Sequence, residues 1–136
     1  MMLKRKAAQS YGDVMVETGV AGADRAELIQ MLLDGLMQCL DLAEAHIQRK
    51  AIAEKSAQLT RAGRIVLALQ DALDYEQGGD IARNLGELYG YITRRLLHVN
   101  MRNDLEALRE VRGLMQQIRD AWKLVPTLVP PARAAA

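Results

Sequence analysis

Residues 76–122 read EQGGDIARNLGELYGYITRRLLHVNMRNDLEALREVRGLMQQIRDAW. Within them Ile81, Leu85, Leu88, Ile92, Leu96 and Val99 recur at steps of three and four, the spacing that lines one face of a helix, and predict one over roughly 81–101. Gly78 and Gly79 can take the positive φ of a helix stop, and Asp80 can cap the helix that follows. After a tight Arg102-Asn103-Asp104 turn the pattern resumes with Leu105, Leu108, Val111, Met115, Ile118 and Trp122, to about residue 124, with Asp104 as its N-cap. So short a connection makes the two helices antiparallel neighbours.

Two further helices precede this pair. One is expected over roughly 25–50, behind Asp24 as N-cap with Glu27 three positions on. The other covers roughly 54–75 and carries Leu59, Ala62, Val66, Leu69 and Leu73. Composition agrees: Ala and Leu supply 40 of 136 residues and Phe none, so strong helix formers dominate where strand-favouring aromatics are scarce. All three prolines lie within the last eleven residues, so nothing upstream breaks a helix. The expected fold is all-α, an antiparallel up-down-up-down four-helix bundle over 23–125. Residues 1–22 form an N-terminal segment too short to be stable alone, and 126–136 a flexible Pro/Ala tail.

Several function classes are poor fits. A formal charge of +1 gives no global pull toward nucleic acid or an anionic membrane. No apolar run approaches the ~18 residues of a membrane span, so no membrane insertion is expected, and the basic start turns polar without a signal-peptide core. The lone Cys39 makes no internal disulfide and fits a reducing compartment. Neither His follows Glu at di-iron spacing, His and Cys are too few for an ordinary zinc site, and Gly78-Gly79 lacks the Lys-Ser/Thr of a phosphate loop. No catalytic residue, cofactor or metal is expected.

The first helix is wider in its apolar arc than a surface helix needs. Glu27, Gln30, Asp34, Gln38, Asp41 and Gln48 make one narrow polar stripe, flanked on both sides by apolar residues. Such a helix is either central to the core or lends part of its arc to a groove for another chain's helix. The Arg residues at 94, 95, 102, 109, 112 and 119 are interleaved with Glu106, Glu110 and Asp120, so intrahelical pairing is expected to absorb most of them. His98 reads as a solvated surface residue. His46, in HIQRK, raises a phosphotransfer alternative with Arg49 and Lys50 balancing the phosphoryl charge, though a cation near a helix end suits the macrodipole anyway. Tyr11, in YGDVMVETG, either staples the N-terminus to the core or occupies a groove that a partner later fills.

Tyr11 with Val14, Val16 and Glu17, then AELIQMLLDG (26–35), EQGGDIARNLGELYGYITRRLLHVN (76–100), NDLEALREV (103–111) and Trp122, together resemble the FliS family of flagellin-specific export chaperones, over about 10–124. Two positions depart from the family pattern: Leu33 stands where an aromatic is common, and Gly90 replaces the Asp of a Leu-Tyr-Asp-Tyr run. The resemblance implies a non-enzymatic chaperone of the bacterial cytosol. Its implied partners are the disordered C-terminal segment of flagellin and the flagellar export apparatus, with no nucleic acid, and a homodimer of the free chain is left open. It also implies that the N-terminal segment, through Tyr11, Val14 and Val16, covers an empty groove. The expected groove residues are Leu33, Leu36, Leu40 and Ile47 of the first helix, with Ile65 and Leu69 of the second, while Leu88, Leu96 and Trp122 go to the core.

Overall fold

A computed structural model describes residues 25–123. It contains four helices: α1 (Arg25–Gln48), α2 (Ile52–Asp71), α3 (Tyr75–Arg102) and α4 (Leu105–Lys123). Helix α1 packs on α2 and α4, and α3 closes the ring against the same two. Side-chain pairings give the directions. Cys39 and Ala26 of α1 meet Arg61 of α2 and Trp122 of α4; Lys55 and Gln70 of α2 meet Asn100 and Gly86 of α3; Tyr91 and His98 of α3 meet Glu110 and Asp104. Along each of the last two seams one number rises as the other falls, as antiparallel neighbours require.

The centre of the ring is one apolar core. Helix α1 buries nine residues, among them Leu32, Leu33, Leu36 and Leu40, because it faces two neighbours and the core at once. That accounts for its wide apolar arc by central packing. Leu96 is buried, and Leu88 and Trp122 pack against the core from its edge, where Trp122 donates its indole N–H to the Ala26 carbonyl at 3.4 Å.

The α2–α3 connection departs from expectation. Helix α2 ends at Asp71 rather than 75, and the cap is Asp74, whose Oδ1 accepts from the Glu76 and Gln77 N–H groups at 3.1 and 3.0 Å. Helix α3 then opens with one turn, breaks at Gly79 (φ +52°, ψ −127°) and resumes. Only Gly79 needs a glycine for its backbone angles; at Gly78 a Cβ would lie 2.7 Å from the Ala82 Cβ, so there the requirement is room. Asp80 pairs with Arg83 on the surface.

The α3–α4 turn follows the sequence reading more closely. Asp104 accepts from the Ala107 N–H at 3.1 Å, as an N-cap should. His98 is not simply solvated: its Nε2 lies 2.9 Å from the second Asp104 oxygen. The Ala107 N–H and then His98 hold the Asp104 carboxyl below the usual carboxylate range. Opposite the turn, Lys55 is only 3% exposed and donates to the Asn100 carbonyl at 2.9 Å and to Asn103 Oδ1 at 2.6 Å. Its ammonium thus meets one last-turn carbonyl and the side chain of the C-cap residue at the negative end of α3.

Candidate docking surface

The six residues expected to line a groove are not on the surface. Leu33, Leu36, Leu40, Ile65 and Leu69 are buried between helices, and Ile47 is partly buried against the same core. As placed here they are core, because the ring turns these faces of α1 and α2 inward. Tyr11, Val14 and Val16 lie outside the described residues.

Among the described residues, Met31 and Leu42 of α1 are exposed, but the most exposed large apolar side chains belong to α2 and α3. Leu59, Thr60, Gly63, Arg64 and Leu67 of α2 face Thr93, Leu96, Leu97 and Asn100 of α3 across a shallow, mainly apolar cleft of about 270 Å³. Leu67 is 52% and Leu97 62% exposed, far beyond what core leucines show. Ile52 and Met101, both exposed, stand at the end of the two helices where Lys55 meets Asn100. Farther toward the start of α3, Tyr75, Arg83, Gly86, Glu87, Gly90 and Arg94 line a second depression of about 570 Å³. At Gly86 a Cβ would stand 2.6 Å from the Tyr75 hydroxyl, so any larger residue there would push the half-exposed tyrosine ring off the helix. Gln70 donates to the Gly86 carbonyl at 3.3 Å and ties α2 to the same spot.

The first depression lies in the α2–α3 seam, whereas the second is lined by residues of α3 alone and is more polar, with Arg83, Glu87 and Arg94 in its wall. In the first, small residues on the floor and leucines on the rim suit the apolar face of a partner helix. Sequence reasoning missed Leu67 and Leu97 because each adjoins a core residue, Val66 or Leu96. A leucine one step off a regular buried stripe was the available signal.

The opposite seam is polar. Arg119 donates to Asp34 at 2.6 Å, Arg112 to Asp41, and Arg109 to Glu44 at 3.2 Å, while Arg95 of α3 donates to Glu110 at 3.0 Å. The expectation of intrahelical pairing is therefore corrected for these arginines: α1 and α4 run antiparallel, so the α1 acidic stripe meets the α4 basic one. Asp41 raises the pKa of Arg112 through its hydrogen bond. Such exposed pairs contribute up to ~1 kcal/mol each and mainly set register.

The aromatic positions divide by burial. Tyr89 is buried, and desolvation pushes its hydroxyl up to about 12. Tyr91 donates to Glu110 at 2.8 Å, and that bond raises its pKa. His46 is half-buried in the last turn of α1 with Nδ1 3.4 Å from Arg49. Among the described residues no cluster of His, Cys, Asp and Glu could hold a metal ion, and no helix is long and apolar enough to cross a membrane.

A family profile described as "Flagellar protein FliS" matches residues 7–128. The chain is 42% identical to the flagellar secretion chaperone FliS of Salmonella typhimurium over 118 residues, which is 86% of this chain and 87% of that protein. It is 38% identical to the Escherichia coli protein of the same name over 132 residues, 94% and 97% of the two chains. The likeness extends to the Bacillus subtilis protein of that name, at 32% over 107 residues and 79% of each chain.

Proposed function

This chain belongs to the FliS family of flagellar proteins, a chaperone family and not an enzyme family, and on that premise we propose that this flagellar export chaperone captures the disordered C-terminal segment of flagellin. A flagellin end destined to pack helically in a filament exposes apolar stripes beforehand, and free in the bacterial cytosol those stripes invite premature assembly. The supporting observation is the exposed apolar seam of α2 and α3, with Leu67 and Leu97 on its rim. The client folds as it binds, burying on the order of 1,000–3,000 Å² against an ordering cost of about 2–5 kcal/mol. That offset keeps capture reversible, so that the client can be handed to the flagellar export apparatus. Leu33, Leu36, Leu40, Ile65 and Leu69 serve this role from beneath, by fixing the helices that form the seam.

Calorimetric titration of the chain with the C-terminal segment of flagellin from the same organism tests this reading. One-to-one saturation with a negative heat-capacity change and gained helicity is expected. A folded chain that binds nothing at tens of micromolar opposes it. Tyr11, Val14 and Val16 are the proposed cover of the empty groove. A closed cover lowers apparent affinity by the open fraction, so deleting residues 1–17 is expected to tighten capture. Unchanged or weaker capture argues against a cover.

A further inference from the structure

Gly63 stands in the middle of α2 without a reason from the fold. Its backbone is ordinary helix, and a Cβ added there would meet nothing within 4 Å among the described residues. Alanine would therefore fit and make the better helix, because glycine gives up more backbone freedom on folding. Gly78 and Gly86 differ, since at each a Cβ would crowd Ala82 or Tyr75. What the missing Cβ at Gly63 leaves open is the α2–α3 cleft, which this residue lines with Leu59, Leu67, Thr93 and Leu97. Gly113 of α4 is equally free of such contacts, but it lines a polar depression with Asp41, Glu44, Arg109 and Arg112.

The lining of the α2–α3 cleft limits what can enter it. Thr93 donates its hydroxyl to the Tyr89 carbonyl at 3.0 Å. Asn100 accepts from Lys55 through its carbonyl at 2.9 Å and from Ser56 through Oδ1 at 3.1 Å. These oxygens are engaged within the protein, so a polar side chain that entered would lose water without gaining them. Volume sets the size. A closed apolar cavity of about 150 Å³ holds a benzene ring, so an open cleft of about 270 Å³ takes one large apolar side chain. We infer that Gly63 is the seat of a single large apolar side chain of the flagellin segment, which enters over the bare α2 backbone between Leu67 and Leu97. This inference rests on the flagellin reading above and assigns its specificity to an aliphatic or aromatic residue at one client position.

The test titrates the full chain and its variants with a peptide of the C-terminal segment of flagellin from the same organism. Gly63→Ala is expected to melt about 2–6 °C above the parent, as an alanine in mid-helix should. It is nevertheless expected to bind the peptide about three- to tenfold more weakly, because its methyl group crowds the seat. Gly63→Leu fills the cleft and is expected to keep its helicity and lose about tenfold or more. Gly113→Ala gains stability in the same way and is expected to bind as the parent does. Parental or tighter capture by a folded Gly63→Leu chain overturns the seat and leaves flagellin capture standing. So does a Gly63→Ala chain that melts below the parent, or an equal loss of affinity in Gly113→Ala. Absence of saturable binding by the parent overturns both readings. Alanine substitutions of the peptide's large apolar residues, one at a time, identify the side chain that enters. One of them is expected to weaken binding to the parent and to matter little with Gly63→Leu, the non-additivity of groups in contact. Losses that add at every position overturn the seat.

Discussion

Tyr89 shows how one buried polar side chain sets a pH limit on the whole fold. Its hydroxyl pKa is raised from 10.0 to about 12 by burial, so above the unfolded value the unfolded chain loses a proton that the folded chain keeps. The associated stability is whole below the unfolded value and is lost as pH rises from about 10 to about 12, a change on the order of 2–3 kcal/mol. Tyr89→Phe removes the titrating group. Urea midpoints at about pH 9 and about pH 11 are expected to fall less for that variant than for the parent; equal falls would mean that the Tyr89 hydroxyl reaches water in the folded state. Lys55 makes a different point at the same scale. Its burial is tolerable because two oxygens at the end of α3 accept hydrogen bonds from its ammonium, and nothing in its surroundings in sequence marks it as other than a surface lysine.

At the scale of the helix, the break at Gly79 governs where the α2–α3 connection leaves the bundle. Its φ of +52° with ψ of −127° lies where a Cβ is strained whatever space surrounds it, and there is nothing within 4 Å to clash. Gly79→Ala is therefore expected to destabilise by about 1–3 kcal/mol through backbone strain alone. A thermal melt reads this directly, and a variant as stable as the parent would show that the connection can relax to another conformation. The sequence marked this break by its paired glycines but misassigned the cap. Asp74 and Asp80 are both acidic residues ahead of helical pattern, and only the hydrogen bonds to Glu76 and Gln77 distinguish them. The α4 arginines pose the same difficulty. Carboxylates lie within reach both along α4 and across on α1, and the choice depends on how the two helices are rotated against each other.

At the scale of the molecule, a bundle that buries one set of leucines must leave others for its partner, and paired substitutions separate the two sets. Leu97→Asp places a charge on exposed surface and is expected to abolish flagellin capture while circular dichroism and thermal stability stay near those of the parent. Leu36→Asp places an unpaired carboxylate in the closed core and is expected to unfold the chain, since core truncation alone costs about 2–5 kcal/mol. Capture retained by a folded Leu97→Asp chain would remove the α2–α3 seam from the binding surface. By itself the sequence determined the helical class, the four helices of the described residues, the turn at Asp104 and the family, because periodicity, capping residues and proline placement are local and leave their mark on neighbouring positions. Only the tertiary structure decided which apolar faces meet one another. A stripe of leucines is equally apolar whether it turns inward or outward, and the rotation of each helix, set by packing against two neighbours at once, puts Leu33 and Leu36 in the core and leaves Leu67 and Leu97 open.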